Sequence, residues 1–300
     1  MECIFIPKYK ALIMKKTILI TGTSTGVGFE SAILFAQNNF KVYATMRNLQ
    51  KADALRQKIE EEQLDIEILQ LDVTDYESIT AAVKTILASG NKIDVLLNNA
   101  GAGFARTLEQ TSLEEAQWVT DVNYLGVVRT TKAVLPHMRA AKSGHIINVT
   151  SVGGLVGQPF NELYCGAKFA VEGLTEALAS YVTEPFNIQF SLVEPGGIAT
   201  AFIDNAVAKT VDDKGQLVSG DYAPIFQKYM EGSQNRASSG DTSPYQTGKE
   251  VAQVILQVAQ SAQPPLRVRT SEWAENLCRL KTQADPDGTK LVEQVKNYFL

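Results

Sequence analysis

The chain has 300 residues, 45% of them hydrophobic, and a net charge of −5 from 33 acidic and 28 basic side chains. That balance argues against nucleic acid or an anionic membrane as the main partner, and no stretch approaches the roughly 20 apolar residues of a membrane span. Three cysteines without a Cys-x-x-Cys pair and only two histidines, His137 and His145, argue against a disulfide framework, a zinc site or a His-centred triad. A reducing, cytoplasmic setting fits best.

Residues 1–13 carry a short apolar run broken by Pro7, too short for a signal-peptide core, and are expected to be an extension outside the fold. From residue 14 onward, short apolar runs alternate with helix-length amphipathic stretches. Strands are expected over residues 17–21, 41–45, 66–70, 93–97, 145–149, 188–193 and 266–268, with helices starting near Gly26, Lys51, Asp75, Leu113, Leu163 and Gly248. This is the rhythm of a parallel sheet covered by helices on both faces. It predicts one α/β domain over residues 14–270. Residues 201–247 read as a long insert with apolar residues such as Phe202, Tyr222, Phe226 and Tyr229, suited either to closing over a hydrophobic ligand or to docking on the core. Residues 271–300 read as a helical tail.

The first expected strand runs into Gly22, Gly26 and Gly28 and then into an apolar helix. Glycines in that context permit a tight turn and close backbone approach, so that a pyrophosphate can sit on the helix N-terminus. The second strand ends in Thr45-Met46-Arg47, where an NAD site would carry a carboxylate for the ribose hydroxyls. The arginine suits a 2′-phosphate instead, which favours NADP(H) over NAD(H).

Tyr164 and Lys168 stand four apart in Tyr164-Cys165-Gly166-Ala167-Lys168, so on a helix the phenol and the ammonium face one point. The same spacing recurs at Tyr245 and Lys249, and context separates the two. Ser151 lies thirteen residues before Tyr164, whereas Gly232 takes that place before Tyr245, and Pro244 and Gly248 make the second segment a turn leading into a helix. A phenol with a pKa near 10 needs a neighbouring cation to act as acid and base at neutral pH, and Lys168 supplies one. Ser151, just past a strand, could cap the next turn or orient a substrate oxygen. Asn123 lies within the long helix that begins near Leu113.

Taken together, Thr21-Gly22-Thr23-Ser24-Thr25-Gly26-Val27-Gly28, Leu71-Asp72-Val73, Asn98-Asn99-Ala100-Gly101, Asn123, Ser151, Tyr164 with Lys168, and Pro195-Gly196-Gly197-Ile198-Ala199-Thr200 resemble the short-chain dehydrogenase/reductase family in order over residues 16–270. The resemblance implies a Rossmann-like doubly wound sheet of seven parallel strands with a nicotinamide cofactor across its C-terminal edge. It implies that Gly22, Thr23, Ser24, Gly26, Val27 and Gly28 form the phosphate turn, and that Asp72 and Val73 meet the adenine. Asn99 would lie near the adenosine ribose, and Pro195, Gly196, Ile198 and Thr200 at the nicotinamide half. Read as residues alone, Asp72 could cap the next helix and the asparagine pair could merely turn the chain. The resemblance further implies that Tyr164 is the acid/base, Ser151 orients the substrate oxygen, Lys168 also holds the nicotinamide ribose, and Asn123 holds a water linking Lys168 to solvent. It implies hydride transfer between a nicotinamide cofactor, read from Arg47 as NADP(H), and a small-molecule carbonyl or secondary alcohol, and a homodimer or homotetramer; the apolar residues of the insert favour a hydrophobic substrate. The scaffold alone also admits a non-redox epimerase or dehydratase, or a catalytically silent dinucleotide-binding regulator.

Overall fold

The computed structural model of the protein describes residues 15–198, 218–237, 245–290 and 293. Strands β1 (Lys16–Thr21), β2 (Phe40–Met46), β3 (Ile66–Gln70), β4 (Val95–Asn98), β5 (Gly144–Val149), β6 (Ile188–Glu194) and β9 (Arg267–Arg269) form one sheet in the order β3-β2-β1-β4-β5-β6-β9, with every pair parallel. A second sheet pairs the two-residue strands β7 (Gly197–Ile198) and β8 (Tyr245–Gln246).

Alternation along the strands feeds two cores. Ile18 and Ile20 of β1 point to one face with Val42, Leu97, Ile147 and Val193. That face is covered by α1 (Gly26–Gln37) through Phe35 and by α8 (Gly248–Gln260) through Val251 and Ile255. Leu19 points the other way with Tyr43, Leu96, Ile146 and Phe190, under α3 (Tyr76–Ala88), α5 (Gly126–Ala141) and α6 (Glu162–Phe186). The inner strands, buried on both faces, read as unbroken apolar runs, which makes them visible in the sequence, while the edge strands β3 and β9 are only half-buried. α2 (Asp53–Glu62) links β2 to β3.

The helix starts follow capping chemistry. Asp75 caps α3, Ser112 with Glu115 and Thr247 with Glu250 form capping boxes on α4 (Leu113–Thr120) and α8, and Ser271 caps α9 (Glu272–Thr282). The expected continuous helix beyond Leu113 is instead broken by a π turn over Asp121–Leu125, with Asn123 fully buried inside it. A buried amide that bonds outside its own helix pulls the ladder open there.

Within the 201–247 insert, α7 (Ala223–Ala237) is described, and Phe226 and Tyr229 on it pack against Phe160 at ring-centroid distances of 5.0 and 5.3 Å. The expected turn at Tyr245 is a short strand, β8, held beside β7 by backbone pairing. Residues 1–14, 199–217, with Thr200 among them, and 238–244 lie outside the described residues. Of the expected helical tail, α9 packs on the body: Ala274 and Cys278 are fully buried against Val152 and Leu155.

Candidate active site

β1 and β4 are neighbours at the point where the strand order reverses, and the crevice outside their C-terminal ends is where doubly wound sheets bind ligands. The chain leaves β1 through Gly22 at φ +74°, and a Cβ there would lie 2.8 Å from the Ala100 Cα. At Gly28 a Cβ would lie 2.2 Å from the Gly22 carbonyl oxygen. The turn is tied down by Gly22 N and Thr23 N donating to the Thr45 carbonyl at 2.9 and 3.0 Å. Asn99 Nδ2 donates to the carbonyls of Thr21 and Gly22 at 2.9 and 3.0 Å, so its side chain braces the turn from β4.

α1 differs from α3, α4, α8 and α9 in having no side-chain cap and no acidic residue in its first turn. Its leading N–H groups and positive pole are therefore free for an anion. Ser24 and Val27 border this turn, Val27 buried and Ser24 half-buried. A glycine cradle that side chains would fill, ending on an uncapped helix, fits a dinucleotide pyrophosphate.

Along the same edge, Arg47 is exposed just past β2. Asp72 Oδ1 accepts from Thr74 N at 2.9 Å and from its hydroxyl at 2.8 Å, closing a turn after β3, while Asp75 does the helix capping. Val73 is half-buried beside Asp72. Pro195, Gly196 and Ile198 follow β6, and the Pro195 carbonyl accepts from Val152 N at 2.9 Å, which joins that turn to the one after β5.

Ser151, Tyr164 and Lys168 come together at the end of β5. Ser151 Oγ accepts from Gly153 N at 3.0 Å, capping a 3-10 turn over Val152–Gly154, and is also hydrogen-bonded to the Tyr164 hydroxyl. The capping reading of Ser151 holds, and its hydroxyl also meets that of Tyr164. Lys168 Nζ lies 5.6 Å from the centroid of the Tyr164 ring and donates to the Val149 carbonyl at 3.0 Å. Asn123 Oδ1 accepts from Ala102 N at 3.0 Å and its Nδ2 donates to the Ala102 carbonyl at 2.9 Å. A Cβ at Gly101 would lie 3.0 Å from Asn123 Oδ1 and 3.7 Å from Lys168 Nζ, so these two side chains converge on one point.

Burial dominates the electrostatics. It pushes the Tyr164 phenol up to about 12, offset in part by the bond to Ser151. It pulls the Lys168 ammonium down to about 8, against the pull of Glu172 one turn further along α6. Burial disfavours whichever form is charged, which moves an acid and a base in opposite directions. Tyr245 and Lys249, by contrast, lie on a strand and in the first turn of α8, so they share no helix face.

The Val149 carbonyl and the Ala102 backbone were not legible as site groups, because a backbone acceptor has no sequence signature. Also unread were Glu172 and Glu194, buried below Lys168, and the half-buried Arg267 and Arg269 that pair with them. Alternation of two arginines across a three-residue strand was their available signal.

The sheet order and the cradle at its switch point define a doubly wound α/β protein of the dinucleotide-binding type. The short chain dehydrogenase family model matches residues 16–210, and the chain belongs to that family. It is 39% identical over 282 residues to retinol dehydrogenase 8 of Bos taurus, covering 92% of this chain and 88% of that one. It is 36% identical over 283 residues to 17-beta-hydroxysteroid dehydrogenase type 1 of Mus musculus, covering 92% and 79%. Among solved structures it resembles a short-chain dehydrogenase from Streptomyces avermitilis, with a TM-score of 0.74 at 25% identity over 96% of this chain and 100% of that one. ElxO, solved with NADP bound, gives a TM-score of 0.69 at 26% identity over 86% and 98%. A Burkholderia phymatum enzyme of the family, solved with NAD, gives 0.76 at 22% identity over 92% and 95%, a likeness of fold.

The protein is an oxidoreductase acting on alcohols and carbonyls with a nicotinamide dinucleotide; the epimerase, dehydratase and silent-regulator readings are not favoured. Among the described residues, no helix is long and apolar enough to cross a membrane and no side-chain group could hold a metal.

Proposed function

We propose that the protein is an NADP(H)-preferring dehydrogenase/reductase of a hydrophobic ketone or secondary alcohol, working in the cytoplasm, with Tyr164 as its acid and base. The observation that carries this reading is the meeting of the Tyr164 hydroxyl, the Ser151 hydroxyl and the buried Lys168 ammonium at the end of β5. When bound, the nicotinamide supplies or accepts the hydride. Gly22, Thr23, Ser24, Gly26, Val27 and Gly28 would hold its pyrophosphate, Asp72, Val73 and Asn99 its adenosine side, and Pro195, Gly196, Ile198 and Thr200 its nicotinamide side.

In the reducing direction the Tyr164 hydroxyl donates its proton to the substrate oxygen, and Ser151 holds that oxygen in place. In the oxidising direction the Tyr164 oxygen takes the proton back. With an ammonium pKa about 8, Lys168 is mostly a cation at neutral pH and stabilises the phenolate that either direction passes through. Asn123, fixed by both groups of Ala102, would hold the water that links Lys168 to solvent. For the 2′-phosphate, Arg47 is exposed past β2, and no acidic side chain occurs between Phe40 and Gln50.

The substrate class is supported by the open cleft of about 500 Å³ beside the N-terminus of α6, where Leu108, Pro159, Phe160 and Ile225 supply apolar surface and Glu109 and Glu162 are the acidic members of the lining. The test is a panel of carbonyls and alcohols assayed with NADPH and NADH in the parent and in Tyr164→Phe. Tyr164→Phe is expected to lose about 10²- to 10⁴-fold in kcat while still binding cofactor. Turnover at the parent rate would refute the role given to Tyr164.

A further inference from the structure

One turn below Lys168 on α6 lies Glu172, and across from it at the end of β6 lies Glu194; they are 4% and 0% exposed. Two arginines from the edge strand β9 serve them. Arg267 Nε lies 3.1 Å from Glu172 Oε2 and 3.3 Å from Glu194 Oε1, and Arg269 Nη1 lies 3.3 Å from Glu194 Oε2. The same arginines are claimed from outside: Arg267 by Glu176 and Arg269 by Glu275, the latter at 2.6 Å. Four carboxyl groups thus face two guanidiniums. Glu172 Oε1 and Glu194 Oε1 are both buried and neither accepts a well-aligned hydrogen bond, while Arg267 Nε, within 3.3 Å of both side chains, brings the two carboxyl groups together. Two carboxyl groups bond to one another only through a proton.

We infer that Glu172 and Glu194 share a single proton, and that this acid–carboxylate pair is the positioning element that locks the turn after β5, the Lys168 helix and the turn after β6 to one another. The connections are on all three sides. The Thr150 hydroxyl, adjacent to Ser151, reaches both Glu172 and the Val193 carbonyl, the latter at 3.3 Å. Glu172 shares α6 with Lys168, and Glu194 directly precedes Pro195. With one proton held, neither glutamate presents a second full charge to Lys168. The groups facing the pair are Lys168 and Glu176 from α6, Arg267 and Arg269 from β9, and Glu275 and Cys278 from α9. The Glu194 carboxyl is pushed up to about 9 by burial and then by Glu172. Its pKa lies higher folded than unfolded, so its contribution to stability is complete in acid and is lost as pH rises through that value.

The positioning role rests on the assignment of Ser151 and Lys168 proposed above; the shared proton does not. At pH 7 the infrared spectrum of the cofactor-free protein should show a protonated-carboxyl C=O stretch that is missing in Glu194→Gln. The fall in melting temperature between pH 6 and pH 9 should flatten in the same variant, whose amide keeps the hydrogen bond without titrating. Glu194→Ala should lower kcat by about tenfold, with Glu194→Gln recovering most of it. Thr150→Val, which cuts the link to the Ser151 turn while leaving both glutamates in the chain, should also lower kcat with little change in KM. Absence of the band, or an unchanged pH slope in Glu194→Gln, overturns the shared proton. Parental kcat in Glu194→Ala and Thr150→Val overturns the positioning role. Tyr164→Phe at full activity would instead unseat the catalytic assignment and leave the infrared band where it is.

Discussion

At the scale of single residues, Lys168 is kept at a cost. Its folded pKa of about 8 lies below the 10.5 of an ordinary lysine, so the ammonium destabilises the fold by roughly 3 kcal/mol at neutral pH. That penalty is complete below the folded pKa and vanishes only above the unfolded one. Hydrogen bonding to the Val149 carbonyl offsets part of it, and a methionine of similar length would avoid it. A cation beside a phenol is what proton transfer needs, so the cost falls where function would put it. Arg47 is the opposite case, an exposed charge whose value depends on a ligand. Arg47→Ala should reduce kcat/KM with NADPH by about 10- to 100-fold and leave NADH nearly unaffected, because one charge-assisted contact to the 2′-phosphate is lost. Equal losses with both cofactors would remove Arg47 from the specificity role.

At the scale of elements, the start of α1 sets the cradle. A Cβ on residue 28 collides with a backbone oxygen, which cannot swing aside as a side-chain tip could. Gly28→Ala should therefore shift α1 away from β1 and weaken NADPH binding by on the order of 10²-fold in a fluorescence titration, with the sheet intact by circular dichroism. The glycines, like the apolar strands, were legible because each answers to local geometry. The π turn around Asn123 was not, since it depends on a bond to Ala102 that is 21 residues away. β7 and β8 were missed because two-residue strands carry no period. The glutamate–arginine cluster was missed for the same reason as the π turn: Glu172 and Arg267 stand 95 positions apart, and nothing near either one announces the other.

At the scale of the whole molecule, the two edges of the sheet have different duties. The C-terminal edge holds the cradle and the Ser151, Tyr164 and Lys168 set, and the N-terminal edge holds stabilising ties. There Asp94 Oδ2 accepts from Thr17 N at 2.8 Å, and His145 at the start of β5 is buried with Nε2 3.0 Å from Ser191 Oγ. Ser191 gives its own proton to the Pro265 carbonyl at 2.7 Å, so the imidazole Nε2 must be the donor to it. Burial, with Lys16 nearby, pulls the His145 pKa down to about 3. The unfolded chain then binds the extra proton between pH 6.5 and 3, and stability falls as pH falls through that window. Urea unfolding at pH 7 and pH 4.5 should differ by about 3 kcal/mol more in the parent than in His145→Asn. An identical difference in the two proteins would clear His145 of the acid sensitivity.

The lateness of β9 in the chain has a bearing on how the protein is made. Glu172 and Glu194 leave the ribosome long before Arg267 and Arg269, and carboxyl groups at that depth without their guanidiniums are strongly unfavourable. A nascent chain ending short of residue 269 can assemble the first strands around Ile18, Leu96 and Ile146, but of the cations that face Glu172 and Glu194 it has only Lys168. The region between α6 and β6 is therefore expected to stay hydrated, or to keep both glutamates protonated, until β9 is synthesised. Closure of the turns after β5 and β6 would thereby wait for β9, by which point the cradle for the cofactor can already exist.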